Sequence, residues 1–120
     1  MSAVLLVALG GAVGAVIRHA LARSMTTTFP WAILIANVAG SFLLGVLVGW
    51  ATAEVVLLLG LGLAGALTTY STMAADAWLS AETGRRREAA LIVTLTVLGS
   101  LTAVTLGIAA SGWIQAATGG

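Results

Sequence analysis

The sequence contains no cysteine, one histidine, one proline and few charged residues. The absence of cysteine excludes disulfide bonds and thiol chemistry. One histidine and four scattered acidic residues form no metal-binding motif. Charged residues make up 8% of the chain, whereas a soluble domain carries about 25%. The formal net charge of +1 gives no indication of nucleic-acid binding. No nucleophile stands beside a base, so an enzyme is the least favoured function class.

Hydrophobic residues account for 60% of the 120 positions, and the mean hydropathy is +1.12. A chain of this length cannot bury so much apolar surface in its own core, so lipid must cover the remainder. Four apolar segments lie at about residues 3–22, 31–50, 55–79 and 89–113. The pattern predicts an all-α membrane protein with four transmembrane helices in a single domain over residues 1–120.

The basic residues lie in or beside only two of the loops, those after the first and third segments. Loops on the cytoplasmic side of a membrane are enriched in arginine and lysine. We therefore predict that these two loops are cytoplasmic and that both termini lie outside. The arginines that set this bias are Arg18, Arg23, Arg85, Arg86 and Arg87.

The third apolar segment contains a polar stretch, Gly65–Met73, with four serine or threonine residues and with Asp76 just beyond it. In hydrocarbon every polar group needs a partner, so this stretch should face protein, water or an ion. Gly60 and Gly62 weaken the helix before it. We predict a helix broken near Gly65–Tyr70 and regard this stretch as the functional centre of the chain.

Two other polar residues occur at membrane depth. Arg18, near the end of the first segment, either reaches the lipid headgroups or lines a wet vestibule. Asn37, in the middle of the second segment, either makes an interhelical hydrogen bond or donates its amide to a polar path. The residues themselves leave these alternatives open.

Small residues recur at a spacing of four, which lets helices approach closely. The first segment has two such pairs, and the fourth segment has a longer stripe that predicts close packing along one face. These residues are Gly10 with Gly14, Gly11 with Ala15, and the stripe Gly99, Ala103, Gly107 and Ser111.

Three motifs follow one another in the chain: Gly10–Arg18, Ala36–Gly45 and Gly65–Met73. Together they resemble the Fluc/CrcB family of bacterial fluoride channels, and the resemblance covers essentially the whole chain. It implies a multi-pass protein of the bacterial inner membrane that exports fluoride passively. It also implies an antiparallel dimer of oppositely oriented subunits, with two pores along the interface and a structural sodium ion at its centre.

The resemblance also implies roles for individual residues. Gly65 and Thr68 match the positions whose backbone carbonyls bind sodium, and Asn37 matches a pore asparagine. Ser71 and Thr72 match pore-side hydroxyl residues.

At three positions the sequence departs from the family pattern. Tyr70 and Met73 replace two pore phenylalanines, and Asp76 replaces a vestibule glutamate. Methionine has no positive ring edge to face an anion. The one-sided charge bias also favours a single orientation. We therefore keep two hypotheses, a homodimer and one half of a heterodimer with an oppositely biased subunit.

Two rival functions remain. A small multidrug-type transporter needs a membrane carboxylate in its first helix, and here no acidic residue precedes Glu54. A non-conducting packing subunit would fit the glycine-rich helices, but it would not need costly polar residues at membrane depth.

Overall fold

The computed structural model describes residues 2–25, 29–68 and 70–118, with the backbone alone described at Tyr70 and Ser71. Over these residues the chain forms four helical spans, as predicted. Three are long and apolar enough to cross a membrane, and the second is a shorter apolar helix of 17 residues. The elements are α1 (Ala3–Ser24), α2 (Trp31–Leu47), a third span made of α3 (Ala53–Val55), a π-helix (Val56–Ala64), α4 (Gly65–Leu67) and α5 (Tyr70–Glu82), and finally α6 (Arg86–Ala117).

The third span is interrupted at Thr68, within the predicted stretch. Thr68 has φ −77° and ψ 148°, which is extended backbone, and α5 begins at Tyr70. The Thr68 hydroxyl and N–H each donate to the Ala64 carbonyl at 3.0 Å. A threonine hydroxyl thus bonds a carbonyl at the helix end. Thr69 lies outside the described residues.

Nine residues before the interruption form a π-helix rather than an α-helix, which the sequence analysis did not predict. The Gly65 N–H donates to the carbonyls of both Gly60 and Gly62. Such segments are rare and occur mostly as short insertions, often at functional sites. The first half of the third span therefore differs from a regular helix along most of its length.

The helix ends differ from the predicted segments. α2 ends at Leu47 rather than near residue 50, because Val48 is extended and Gly49 has φ +88°. α1 runs two residues further than expected, to Ser24. The third span and α6 extend beyond residues 55–79 and 89–113 at both ends. Polar residues such as Arg86 continue α6 past its apolar part, since arginine is a good helix former.

α1 packs against the first half of the third span, backbone to backbone. A Cβ on Gly10 would collide with the Leu58 carbonyl, and one on Gly14 would collide with the Leu63 carbonyl. A Cβ on Gly62 would lie 2.9 Å from the Gly10 Cα. These glycines are therefore required for the close approach of the two spans.

α2 packs mainly on α6, along the small-residue stripe predicted for the fourth segment. A Cβ on Gly107 would collide with the Phe42 carbonyl and lie 3.0 Å from the Gly45 Cα. Ala103 is 5% exposed, and Ser111 is 1% exposed and donates its hydroxyl to the Val48 carbonyl. The predicted close packing along this face is confirmed.

Large apolar side chains cover much of the outer surface. Leu61, Leu98 and Leu101 are each about 60% exposed in the single subunit, at 62%, 58% and 58%. All four tryptophans are also exposed. An apolar surface of this extent is unfavourable in water, so a non-aqueous environment such as lipid must cover most of it.

Candidate functional site at the helix break

The interruption at Thr68 lies against the middle of α2. A Cβ on Gly40 would collide with the Thr68 methyl group and lie 3.3 Å from the Ala64 carbonyl oxygen. Asn37 precedes Gly40 by three residues and therefore lies on the same face of α2. Asn37 is buried, with 6% exposure. The fold thus places a buried amide side chain on the helix face that contacts the broken segment.

Arg18 also reaches this region, from α1. Its Nε donates to the Ala66 carbonyl at 3.0 Å, and the residue is half-buried. In an uninterrupted helix the Ala66 carbonyl would accept from the N–H four residues on. Sequence reasoning placed Arg18 near the headgroups or in a vestibule and missed this partner. The one available signal was its spacing of four from Gly14, the glycine that contacts Leu63 and Ala66.

Thr72 and Asp76 lie one turn apart on α5, and both are half-buried. Arg18 and Asp76, the two predicted vestibule residues, do not form an ion pair. Within the described part of the chain the one salt bridge joins Arg85 and Glu88, at 3.1 Å near the start of α6. The side chains of Tyr70 and Ser71 lie outside what the structure describes, so their predicted pore roles stay predictions.

Met73 is packed between α5 and α6 in the single subunit. It is 4% exposed and belongs to a hydrophobic cluster with Ala77, Ala89 and Ile92. It also lines an apolar groove that Trp78 borders. The structure therefore places Met73 in the packing of one subunit, and its predicted role in lining a pore stays a prediction.

The groups at the break that could bind a hard monovalent cation are backbone carbonyl oxygens. A helix end leaves its last carbonyls without intrahelical donors. Gly65 is exposed on the subunit surface, and Thr68 is half-buried. Within the described residues, no group of three His, Cys, Asp or Glu side chains comes together. Gly65 and Thr68, whose carbonyls the resemblance assigns to sodium, both lie at this break, and their role in binding sodium stays a prediction.

Comparison with known proteins identifies the family of the chain. Residues 5–108 match the family described as "CrcB-like protein, Camphor Resistance (CrcB)". The chain belongs to the CrcB family. The matched region includes Arg18, Asn37 and the whole polar stretch of the third span.

Several relatives of this CrcB protein carry the name "Fluoride-specific ion channel FluC". One from Erythrobacter litoralis is 39% identical over 121 residues, covering 88% of this chain and 89% of its own length. Another from Shewanella amazonensis is 40% identical over 116 residues, covering 89% and 94%. A third from Chelativorans is 40% identical over 114 residues, covering 87% and 91%. The similarity therefore extends over nearly the full length of this chain and of each relative.

Proposed function

We propose that this CrcB-family protein is a subunit of a fluoride-selective channel that exports fluoride passively from the cytoplasm across the bacterial inner membrane. The observation that carries the proposal is the helix interruption at Thr68, which packs against the face of α2 that bears Asn37. Fluoride is proposed as the conducted ion because the relatives are named fluoride-specific ion channels. No coupling residue is required, because conduction down a gradient relieves fluoride toxicity without a second substrate.

Fluoride is small and strongly hydrated, so a pore must replace the hydrogen-bond donors of water. The amide of Asn37 and the hydroxyls of Ser71 and Thr72 are such donors. The ring edge of Tyr70 carries partial positive charge and can also face an anion. In this proposal these four residues and Met73 line the pore, while Arg18 and Asp76 border its vestibule.

The pore itself is proposed to form between two subunits of opposite orientation. A single subunit exposes a large apolar surface, and Gly65 beside the break is exposed as well. A second subunit over this face would shield the polar stretch from lipid, as the cost of unpaired polar groups in hydrocarbon requires.

Gly65 and Thr68 are proposed to hold the structural sodium ion through their backbone carbonyls. When bound, the ion supplies the positive charge that neutralises the carbonyl end of the helix. One subunit offers only a few such oxygens, so a site at the dimer interface would draw on both copies.

The test is fluoride efflux from liposomes that contain the purified chain, with sodium present and chloride as the control anion. We expect rapid efflux of fluoride and none of chloride. Asn37→Leu keeps the number and branching of the side-chain heavy atoms and removes the amide, so it should slow efflux at least about tenfold. Thr105→Val is the matched control, because the Thr105 hydroxyl bonds only the Leu101 carbonyl of its own helix at 2.8 Å. Equal efflux from the two variants would contradict the role of Asn37.

A partner-dependent channel is the second candidate. The arginine bias favours one orientation, and Tyr70 with Met73 departs from the paired phenylalanines of the family. If the well-folded chain alone is silent and an oppositely biased subunit restores efflux, the heterodimer is the functional form. Silence in both preparations would instead support a non-conducting packing subunit.

A further inference from the structure

One face of α1 follows the third span up to its interruption. Gly10 contacts the backbone of Leu58 and Leu63, and Gly14 contacts Leu63 and Ala66. Arg18 is the next residue at the same spacing of four, and its Nε bonds the Ala66 carbonyl. The two glycines bring α1 close enough for a side chain one turn later to reach the backbone at the break.

We propose that Arg18 is a positioning residue: its Nε–H holds the Ala66 carbonyl and thereby fixes the end of the helix that leads into the interruption. The Ala66 carbonyl lies two residues before the interruption, where the regular pattern of helix hydrogen bonds ends, and unpaired polar groups are expensive inside a membrane. Arg18 supplies this carbonyl with a donor from a neighbouring helix. Its guanidinium also lies at the carbonyl end of a helix, where positive charge is favourable.

This contact lies within the proposed sodium site. Ala66 lies in sequence between Gly65 and Thr68, whose carbonyls are proposed to hold sodium. The hydrogen bond from Arg18 fixes the orientation of the Ala66 carbonyl between them. The inference therefore rests on the proposed function where it concerns sodium, whereas the positioning of the break does not depend on conduction.

A series of substitutions at Arg18 separates the hydrogen bond from the charge. Arg18→Gln places an amide nitrogen the same number of bonds from the backbone as Nε and removes the charge. Arg18→Met has a similar length and no donor. Arg18→Lys keeps the charge but carries its nitrogen one bond further out. Arg23→Met is the matched control, because Arg23 is exposed in the last turn of α1. This substitution removes the same charge as Arg18→Met.

Two measurements are made on the full chain in the membrane preparation that conducts best. The first is amide hydrogen exchange of residues 64–68, which reports opening at the break without reference to conduction. The second is fluoride efflux. Arg18→Met should raise exchange in this segment and slow efflux, each about tenfold, because a part-buried carbonyl loses its donor. Arg18→Gln should keep exchange within about threefold of the unmodified chain, and Arg23→Met should stay within about threefold in both measurements.

Equal effects of the Gln and Met substitutions on exchange in residues 64–68 would overturn the proposal, as would exchange restored by Lys but not by Gln. A failure of Arg18→Met to fold would raise exchange throughout α6 as well. In that case the exchange of Arg18→Gln compared with that of Arg18→Lys tests the positioning role. If the unmodified chain does not conduct, the proposed function fails, and the exchange data still confirm or refute the positioning role.

Discussion

Individual glycines set how closely the helices approach. Gly14 and Gly11 lie on the same helix but in different surroundings. A Cβ on Gly14 would collide with the Leu63 carbonyl and lie 3.1 Å from the Ala66 Cβ. A Cβ on Gly11 would meet only the Gly62 carbonyl, at 3.9 Å. The same chemical change should therefore have different consequences at the two sites.

We predict that Gly14→Ala lowers the free energy of unfolding by about 1–3 kcal/mol, because the added methyl group overpacks a backbone contact. Gly11→Ala should change it by less than about 0.5 kcal/mol, and could raise it slightly through helix propensity. Thermal or denaturant unfolding in detergent measures both. Similar losses from the two variants would mean that α1 does not pack as described.

Ser111 is a second residue whose role follows from its contacts, since its hydroxyl also accepts from the Gln115 amide at 3.3 Å. Its hydroxyl is 1% exposed and donates to the Val48 carbonyl, just after the end of α2. Ser111→Ala should cost about 1–3 kcal/mol of unfolding free energy, because the part-buried bond to the Val48 carbonyl is lost and the Gln115 amide loses its acceptor. Thr105→Ala is the control, since its hydroxyl bonds its own exposed helix turn. A change at Ser111 no larger than that at Thr105 would refute the role of this contact.

At the scale of elements, the contact between α2 and α6 joins two backbones through glycines. Gly107 lies against the Phe42 carbonyl and Gly45, whereas a Cβ on Gly112, also in α6, would meet nothing within 4 Å. We predict that Gly107→Val separates the two helices and costs about 3 kcal/mol or more, as overpacking against backbone does.

Gly112→Val should leave stability within about 0.5 kcal/mol, because the added side chain enters open space. Cysteine crosslinking between α2 and α6 is the second measurement, and the absence of native cysteine keeps the background clear. Undiminished crosslinking in Gly107→Val, together with unchanged stability, would show that this interface is not close-packed.

For the whole molecule, the arginine distribution predicts one orientation in the membrane. Reporter fusions at either terminus should read outside, because all five arginines lie in or beside the loops assigned to the cytoplasm. Replacing Arg85, Arg86 and Arg87 with glutamine should shift a substantial fraction of molecules to the reversed orientation. Replacing Glu82 and Glu88 with glutamine is the control, since acidic residues contribute little to orientation.

If reporters on the unmodified chain read equally on both sides of the membrane, the arginine bias would no longer support a heterodimer. The departures at Tyr70 and Met73 would then be features of a homodimer. The same fusions, made with and without an oppositely biased partner subunit, would show whether the partner changes the orientation.

The sequence by itself determined the class of protein, the number of spans, the interruption near Gly65–Tyr70 and the small-residue face of α6. These follow from composition and from a local period, because apolar length requires a membrane helix and a spacing of four places small residues on one face. Such features need no knowledge of which helix is the neighbour.

Only the tertiary structure decided which backbone each residue meets. It placed Arg18 on the Ala66 carbonyl, Gly40 on Thr68 and Met73 within the α5–α6 packing. It also ended α2 at Leu47 and inserted a π-helix before the break. The interhelical contacts join residues far apart in the chain, such as Arg18 and Ala66, which are separated by 48 positions. A local pattern predicts a surface, and the partner of that surface is chosen only when the helices pack together.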